Sequence, residues 1–200
     1  MKDTPSWELE HQLFGDAVVG VDEVGRGSVA GPLIVCAARF HDFPPVTWRD
    51  SKQMTPRGRK NVFPMLLDSC DFGIGMVMPW DIDKHGITWA LSYAAEEALS
   101  KVYDNKSVVV FDGRIPLTRG VKNGRCMVKG DALLPTVAAA SVIAKVTRDE
   151  LMVCLDGFFP KYDLCHNKGY GTKKHLEAVR RYGVTNHHRR SFLRSFVGEE

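Results

Sequence analysis

The sequence has few cysteines and no long apolar run. The five cysteines are odd in number, and no two have the spacing typical of metal ligands: Cys36, Cys70, Cys126, Cys154 and Cys165. We therefore expect buried free thiols and no disulfide framework. No apolar stretch approaches the roughly 20 residues that a membrane-spanning helix needs. Residues 1–14 also lack the apolar core of a signal peptide, which predicts a cytoplasmic protein without a membrane segment.

The sequence also lacks internal repeats, low-complexity tracts and strong linkers. A chain of 200 residues without them predicts one domain with a sizeable core. The charge is uneven: residues 1–160 contain 18 Lys and Arg against 20 Asp and Glu, whereas residues 161–196 contain 9 against 2. We expect a core of residues 1–160, with residues 161–200 as a basic segment packed on it. A basic block beside acidic residues favours a polyanionic partner, although a solvated basic surface has the same composition.

The hydrophobic pattern predicts an α/β fold in which strands come first and helices are interleaved later. The predicted strands cover residues 17–22, 31–40, 72–78, 106–112 and 125–128. The predicted helices cover residues 7–14, 56–69, 88–102, 135–155, 172–182 and 191–197. Together they predict a mixed sheet with helices on its faces.

Acidic residues follow the apolar strands. The run Val18–Val21 leads directly into Asp22 and Glu23. A later strand ends in Asp112, and a shorter one is followed by Asp131. A single acid in such a place is more often a turn residue, but ligand sites of open α/β sheets gather at strand ends. Four convergent carboxylates need cations to stay ionised, and their oxygens suit Mg²⁺ or Mn²⁺.

The first acidic pair raises a geometric question. Neighbours on a regular strand point to opposite faces, so Asp22 and Glu23 both reach a metal only if the strand ends or bulges between them. Gly25 and Gly27 allow such a break, and Arg26 places a guanidinium where the backbone can approach a ligand. Two ions about 3.5–4 Å apart would support in-line phosphoryl displacement. This pattern favours a phosphodiester-cutting site.

Basic and aromatic residues form a second group near the end of the sequence. Between His166 and Thr172 two glycines flank Tyr170, and Lys168 lies two residues before it. A tyrosine on such a loop can stack on a sugar or base while lysines contact phosphates, or it can pack on the core. Phosphate contact and a solvated surface are the two interpretations of four further residues: Ser51, Lys52, His188 and Arg189.

From Val19 to Phe192 the sequence resembles ribonuclease HII, the type 2 ribonuclease H. The resemblance rests on blocks that occur in the family's order: Gly20–Gly27, Ala30–Pro32, Asp50–Lys52, Asp112–Gly113, Lys129–Asp131, Ala138–Ser141, Ala144–Val146, Arg148–Asp149, His166–Thr172 and His188–Phe192. Several ordered blocks are far more specific than any single motif.

The resemblance implies a ribonuclease H-like fold with a five-stranded mixed sheet flanked by helices. Residues 1–160 would form the catalytic core, and residues 161–200 would help to grip the substrate. The reaction would be metal-dependent hydrolysis of the RNA strand of RNA–DNA hybrids, leaving 5′-phosphate and 3′-hydroxyl ends. The family also incises 5′ to single ribonucleotides embedded in duplex DNA, which implies a role in ribonucleotide removal during DNA replication and repair. Nothing in the pattern demands an oligomer, so we expect a monomer.

The resemblance also assigns roles to individual residues. The catalytic acids, which hold two Mg²⁺ or Mn²⁺ ions, would be Asp22, Glu23, Asp112 and Asp131. The residues that read the 2′-hydroxyl at the ribonucleotide–deoxyribonucleotide junction would be Gly25, Arg26 and Gly27. Tyr170 would stack against the deoxyribose that follows. The residues that contact phosphates would be Ser51, Lys52, Lys168, His188 and Arg189.

Two alternatives use the same residues differently. A hybrid-binding protein that does not cut would use the acids as a structural cation site. A related polynucleotidyl transferase or a 3′→5′ exonuclease could share the fold and the acids. The Gly25–Gly27 turn and the glycine-flanked Tyr170 favour ribonuclease HII over both.

Overall fold

The computed structural model describes residues 4–42 and 54–197. Ser51 and Lys52 lie outside the described residues. In the described part of the chain, none of the helices combines the length and apolar character needed to cross a bilayer.

The fold is built on one five-stranded mixed sheet with the strand order β3-β2-β1-β4-β5. The strands are β1 (Val18–Val24), β2 (Leu33–Phe40), β3 (Cys70–Val77), β4 (Val108–Asp112) and β5 (Gly124–Met127). β1, β2 and β3 pair antiparallel, whereas β4 and β5 are parallel to β1. The predicted mixed sheet is therefore confirmed.

The helices connect the strands and cover both faces of the sheet. They are α1 (Trp7–Phe14), α2 (Pro56–Ser69), α3 (Pro79–His85), α4 (Ile87–Leu99), α5 (Gly130–Leu133), α6 (Pro135–Phe158), α7 (Leu164–Asn167), α8 (Lys173–Tyr182) and α9 (Arg190–Val197). The predicted helix over residues 56–69 has the observed bounds, because Thr55 caps it by accepting from the Gly58 N–H and Pro56 occupies its first position. The four-residue helices α5 and α7 were not predicted, because one turn leaves no periodic pattern to detect.

The two faces of the sheet have separate apolar cores. One face packs against α4, with Val19 and Val21 of β1 turned towards it. The other packs against α6 and α2. Gly20 faces α6 so closely that a Cβ there would lie 2.2 Å from the Thr136 backbone carbon. The missing side chain is what lets the start of α6 lie directly on β1.

The basic C-terminal segment packs on the rest of the chain through its own apolar cluster. Leu164, Val179 and Leu193 pack there with Met152 of α6 and Ala30 of the loop after β1. The backbone adds to this contact, because Arg189 N donates to Val29 O at 2.8 Å. The segment is therefore held directly against the loop that follows the first acidic pair.

Candidate active site

Three aspartates meet on the α6 side of the sheet. Parallel pairing of β1 with β4 aligns Val21 with Phe111, so the next residues, Asp22 and Asp112, lie side by side. Alternation along each strand turns both side chains away from α4. Asp131 joins them from the first turn of α5. One carboxylate oxygen from each lies within 4.8 Å of the others, and Asp22 and Asp131 are buried.

Backbone donors fix these carboxylates. The Gly130 N–H donates to Asp112 Oδ1 at 2.8 Å, which ties the end of β4 to the helix that carries Asp131. The Glu23 N–H donates to Asp22 Oδ1, also at 2.8 Å. The ligand atoms of the group are all carboxylate oxygens, which are the donors that Mg²⁺ and Mn²⁺ prefer. The residues present therefore fit the divalent ions implied by the sequence.

The turn after β1 brings the backbone next to this group. Gly25 has a φ of +86°, and a Cβ there would lie 2.3 Å from the Arg148 Nε, so only glycine fits. The Ser28 N–H donates to Gly25 O at 3.2 Å and closes the turn. Arg26 points outward, with its Nη1 3.6 Å from the Glu23 carboxylate.

The loop that carries Tyr170 is tied to the same turn. Gly169 O accepts hydrogen bonds from the N–H groups of Val29 and Ala30, at 2.9 and 3.0 Å. Gly169 has a φ of +78°, and a Cβ there would lie 2.2 Å from Ala30 O. The Tyr170 ring is partly exposed, and the Arg148 Cζ lies 5.6 Å from its centroid.

These elements line one open cleft of about 300 Å³. It contains two of the aspartates, the glycine–arginine turn and the tyrosine, and its lining includes Asp22, Asp112, Glu23, Gly25, Arg26, Gly27, Ser141, Lys145 and Tyr170. The lining thus combines carboxylates with the backbone of a glycine turn, a tyrosine ring and cationic side chains. Such a cleft can hold a phosphodiester backbone across a metal site.

Comparison with known proteins agrees with this geometry. The family model for ribonuclease HII matches residues 19–195. The chain belongs to the ribonuclease HII family. The ribonuclease HII of Wolbachia sp. subsp. Brugia malayi is 40% identical over 190 residues, which is 94% of this chain and 93% of that protein.

Solved structures of the family and of its relatives share the fold. The ribonuclease H2 of Pyrococcus horikoshii superimposes with a TM-score of 0.71 at 26% identity, covering 90% of this chain and 97% of that one. Bst-RNase HIII in complex with Mn²⁺ gives a TM-score of 0.63 at 16% identity, covering 98% and 75% of the two chains. At that identity the second comparison shows the fold alone. The predicted ribonuclease H-like fold is confirmed.

Membership of the family decides between the interpretations of the sequence. The protein is a ribonuclease H, an endonuclease that hydrolyses phosphodiester bonds with divalent metal, and its substrates are RNA–DNA hybrids. Neither the non-cutting hybrid-binding protein nor the exonuclease fits this assignment.

Glu23 lines the same cleft as Asp22 and Asp112 but does not belong to the group of three convergent aspartates. β1 continues without a bulge to Val24, and Glu23 pairs with Val35 in the regular register with β2. Its side chain is therefore turned towards the α4 side, where it borders a second cleft with Thr88 and Leu91. Burial raises the pKa of Glu23, the Arg26 guanidinium opposes that rise, and the Asp112 charge adds to it. Its role as a metal ligand stays a prediction.

His188 and Arg189 are both buried. The Arg189 guanidinium donates to Gly31 O and to Arg26 O, at 3.0 and 3.1 Å. His188 Nε2 lies 3.1 Å from His175 Nε2. Both side chains bond to protein atoms, and their direct contact with a phosphate stays a prediction. The structure places Arg189 as a support for the glycine–arginine turn.

Three further residues were predicted to contact phosphates. Lys168 is not among the residues that line the cleft. Lys168 lines a neighbouring cavity, and its Nζ donates to Cys165 O at 2.5 Å. Ser51 and Lys52 lie outside the described residues, so their role stays a prediction.

Sequence reasoning missed the importance of Arg148. Its fully buried guanidinium donates to Pro32 O, Ala30 O and Lys168 O at 2.8–3.0 Å, and so joins the turn after β1 to the Tyr170 loop. A signal was present, because Arg148 lies four residues after Ala144 on the apolar stripe of α6. A charged residue on a buried stripe indicates a group that is held by several acceptors.

Proposed function

We propose that this ribonuclease incises duplex DNA 5′ to a single embedded ribonucleotide, as well as cutting longer hybrids. The products would carry 5′-phosphate and 3′-hydroxyl ends. One observation carries the proposal: the Gly25–Gly27 turn and Tyr170 line the same cleft as Asp22 and Asp112. A 2′-hydroxyl is the group that locally distinguishes a ribonucleotide from a deoxyribonucleotide. Backbone groups next to the catalytic acids can form hydrogen bonds with this 2′-hydroxyl at the bond that is cleaved.

The acids would hold two divalent ions, Mg²⁺ or Mn²⁺. Asp22, Asp112 and Asp131 offer convergent oxygens, and Glu23 would approach from the other side of β1. Bound ions of this kind activate water for attack and stabilise the charge that develops on the leaving oxygen. The protein's own part is to hold the carboxylates in place, which the N–H groups of Gly130 and Glu23 do.

Substrate recognition would divide between the two loops. The backbone of the Gly25–Gly27 turn would read the 2′-hydroxyl, and the Tyr170 ring would stack on the following deoxyribose. Lys145 Nζ lies 5.9 Å from the Tyr170 ring centroid, which puts a positive charge beside the expected path of the backbone phosphates. Arg148 and Arg189 would support recognition of the substrate, because their hydrogen bonds hold the two loops in place.

The decisive experiment is cleavage of a labelled DNA duplex with one ribonucleotide, with Mg²⁺, with Mn²⁺ and with a chelator. A single cut 5′ to the ribonucleotide, lost with the chelator, is the expected result. An all-DNA duplex and a long RNA–DNA hybrid are the matched controls. Cleavage of the hybrid alone would refute the junction-reading proposal while leaving the ribonuclease H activity intact.

The role of the tyrosine can be tested separately. Tyr170→Phe keeps the ring and should keep the preference for the embedded ribonucleotide. Tyr170→Ala removes the stacking surface and should lower cleavage of that substrate more than cleavage of the long hybrid. Equal losses on both substrates would contradict the stacking role.

In the cell we propose that the protein acts as a monomer in the cytoplasm and removes ribonucleotides during DNA replication and repair. Alkali cleaves DNA at embedded ribonucleotides, so genomic DNA from a strain without this gene should fragment more in alkali. Unchanged fragmentation would contradict the proposed role. Light scattering of the purified protein tests the monomer, and a dimer mass would overturn it.

A further inference from the structure

A second group of metal-ligating side chains lies in the turn before α7, on the basic C-terminal segment. Asp163, Cys165 and His166 each offer one ligand atom, and these atoms lie within 4.8 Å of one another. Cys165 Sγ is 3.1 Å from His166 Nδ1 and 3.8 Å from Asp163 Oδ1. None of the three residues lines the catalytic cleft. The group therefore differs from the catalytic site in both place and chemistry.

Asp156 of α6 brings a second carboxylate, and a fourth side chain, close to the same thiol. Burial raises the pKa of Cys165, and the Asp156 side chain is near enough to add to that rise. One oxygen of that carboxylate, Oδ1, is buried and has no hydrogen-bond partner among the described residues. A buried carboxylate oxygen without a partner is costly, and an unseen ligand is a common explanation.

The two carboxylate oxygens of Asp163 have different partners, and only Oδ1 faces the other two side chains of the group. Lys174 Nζ binds Asp163 Oδ2 at 2.7 Å, while Oδ1 faces His166 Nδ1 at 2.5 Å. The imidazole of His166 is largely exposed, which leaves a path for an ion to enter.

We propose that Asp163, Cys165 and His166, assisted by Asp156, form a second metal site that binds a borderline divalent ion, Zn²⁺. Thiolate, imidazole and carboxylate together are the ligand set of zinc sites, whereas Mg²⁺ and Mn²⁺ prefer oxygen ligands throughout. The site does not depend on the proposed function, because none of its residues takes part in cleavage.

The observed separations are close to those of a tetrahedral ion. With metal–ligand bonds of about 2.0–2.3 Å, neighbouring ligand atoms lie about 3.4–3.6 Å apart. Both separations from Cys165 Sγ lie within about 0.5 Å of that range. The contact between His166 and Asp163 has to lengthen by about 0.9 Å. A turn of the exposed imidazole can supply this change.

The test uses Co²⁺ as a spectroscopic probe and Zn²⁺ as a competitor, with Mg²⁺ in excess to occupy the catalytic acids. A thiolate ligand gives Co²⁺ a charge-transfer absorption that carboxylates alone do not give. Wild-type protein should show this band, and one equivalent of Zn²⁺ should abolish it. Cys154→Ser is the matched control, because Cys154 is an exposed cysteine of α6 outside the group.

Cys165→Ser should lose the band and bind Zn²⁺ at least about tenfold more weakly, since even the loss of a residue that only orients a ligand has an effect of that size. His166→Gln, at an exposed position, should weaken binding without affecting the fold, and circular dichroism checks that both variants are folded. Absence of the band in the folded wild type, or equal Zn²⁺ affinity in Cys165→Ser, would overturn the proposal. In that case the turn is held only by its own hydrogen bonds.

Discussion

The two groups of metal-ligating side chains are assembled in opposite ways. Asp22, Asp112 and Asp131 are far apart in the sequence, and the sheet brings them together. Asp163, Cys165 and His166 fall within four residues of one turn. The first group has only oxygen ligands and is largely buried, whereas the second has three kinds of ligand atom and lies nearer the surface.

This difference predicts how each group responds to change. A site assembled by long-range packing requires the packing of α6 on β1 and is lost when that packing is disturbed. A site within one turn requires the local chain and two nearby partners, Lys174 and Asp156.

The largest effect should come from Asp22→Asn. The amide can still accept from the Glu23 N–H, so the fold should persist, but a charged metal ligand is lost. Loss of several kcal/mol of transition-state stabilisation corresponds to a fall in cleavage of about 10²–10⁴-fold. Steady-state cleavage of an RNA–DNA hybrid measures it, while hybrid binding should remain. Asp68→Asn, at an exposed position on α2, is the control, and retained cleavage in Asp22→Asn would remove Asp22 from the ligand set.

Gly20→Ala should disturb the first group through packing alone. The new methyl group would lie 2.2 Å from the Thr136 backbone, so α6 has to move away from β1. Because backbone atoms on both sides cannot yield easily, we expect a loss of about 3 kcal/mol or more in the free energy of unfolding. Urea denaturation measures it.

The matched control is Gly157→Ala at the exposed end of α6, where an added Cβ meets nothing within 4 Å. That variant should be as stable as the wild type or slightly more so. Under conditions where Gly20→Ala is still folded, its cleavage should fall while the thiolate band of Cys165 persists. Loss of both together would show that the two groups are not independent.

The sequence predicts features that depend on local patterns, whereas features that depend on contacts between distant parts of the chain need the structure. Apolar strands followed by acids predict that Asp22, Asp112 and Asp131 converge if the strand ends lie side by side, and the family blocks select the same residues. The orientation of Glu23 away from Asp22 could be inferred only once the structure showed that β1 continues regularly to Val24. The turn at Asp163 was not predicted, because its left-handed φ of 56° is uncommon outside glycine and no glycine marks the position. Burial of Arg189 likewise depends on acceptors from the distant turn after β1.

Stability should depend on pH through Glu10, a buried residue of α1 whose carboxylate contacts the start of α6. Burial raises the pKa of Glu10 to about 7, although its carboxylate accepts two hydrogen bonds from Thr136 at the start of α6. The folded state therefore binds the proton more tightly than the unfolded state does. This contribution is fully present below the unfolded pKa of 4.5 and is lost as the pH rises through about 7, with a total of about 3 kcal/mol.

Glu10→Gln should remove that pH dependence, because the amide oxygen can accept the same bonds without a charge. Urea denaturation at pH 5 and pH 8 compares the variant with the wild type. Glu8→Gln on the exposed side of α1 is the control and should keep the wild-type dependence. A wild-type slope in Glu10→Gln would mean that another group titrates in this range.

The smallest effect on stability should come from Lys174→Gln beside the second group. Lys174 is the first cause that lowers the pKa of Asp163, through the 2.7 Å hydrogen bond. Its removal should raise the pKa of Asp163 towards the ordinary value, which NMR titration of the carboxyl carbon can follow. Lys174 is largely exposed, so the change in the free energy of unfolding should be small. An unchanged pKa would show that His166 alone holds the carboxylate, and the local assembly of this turn would then rest on the imidazole.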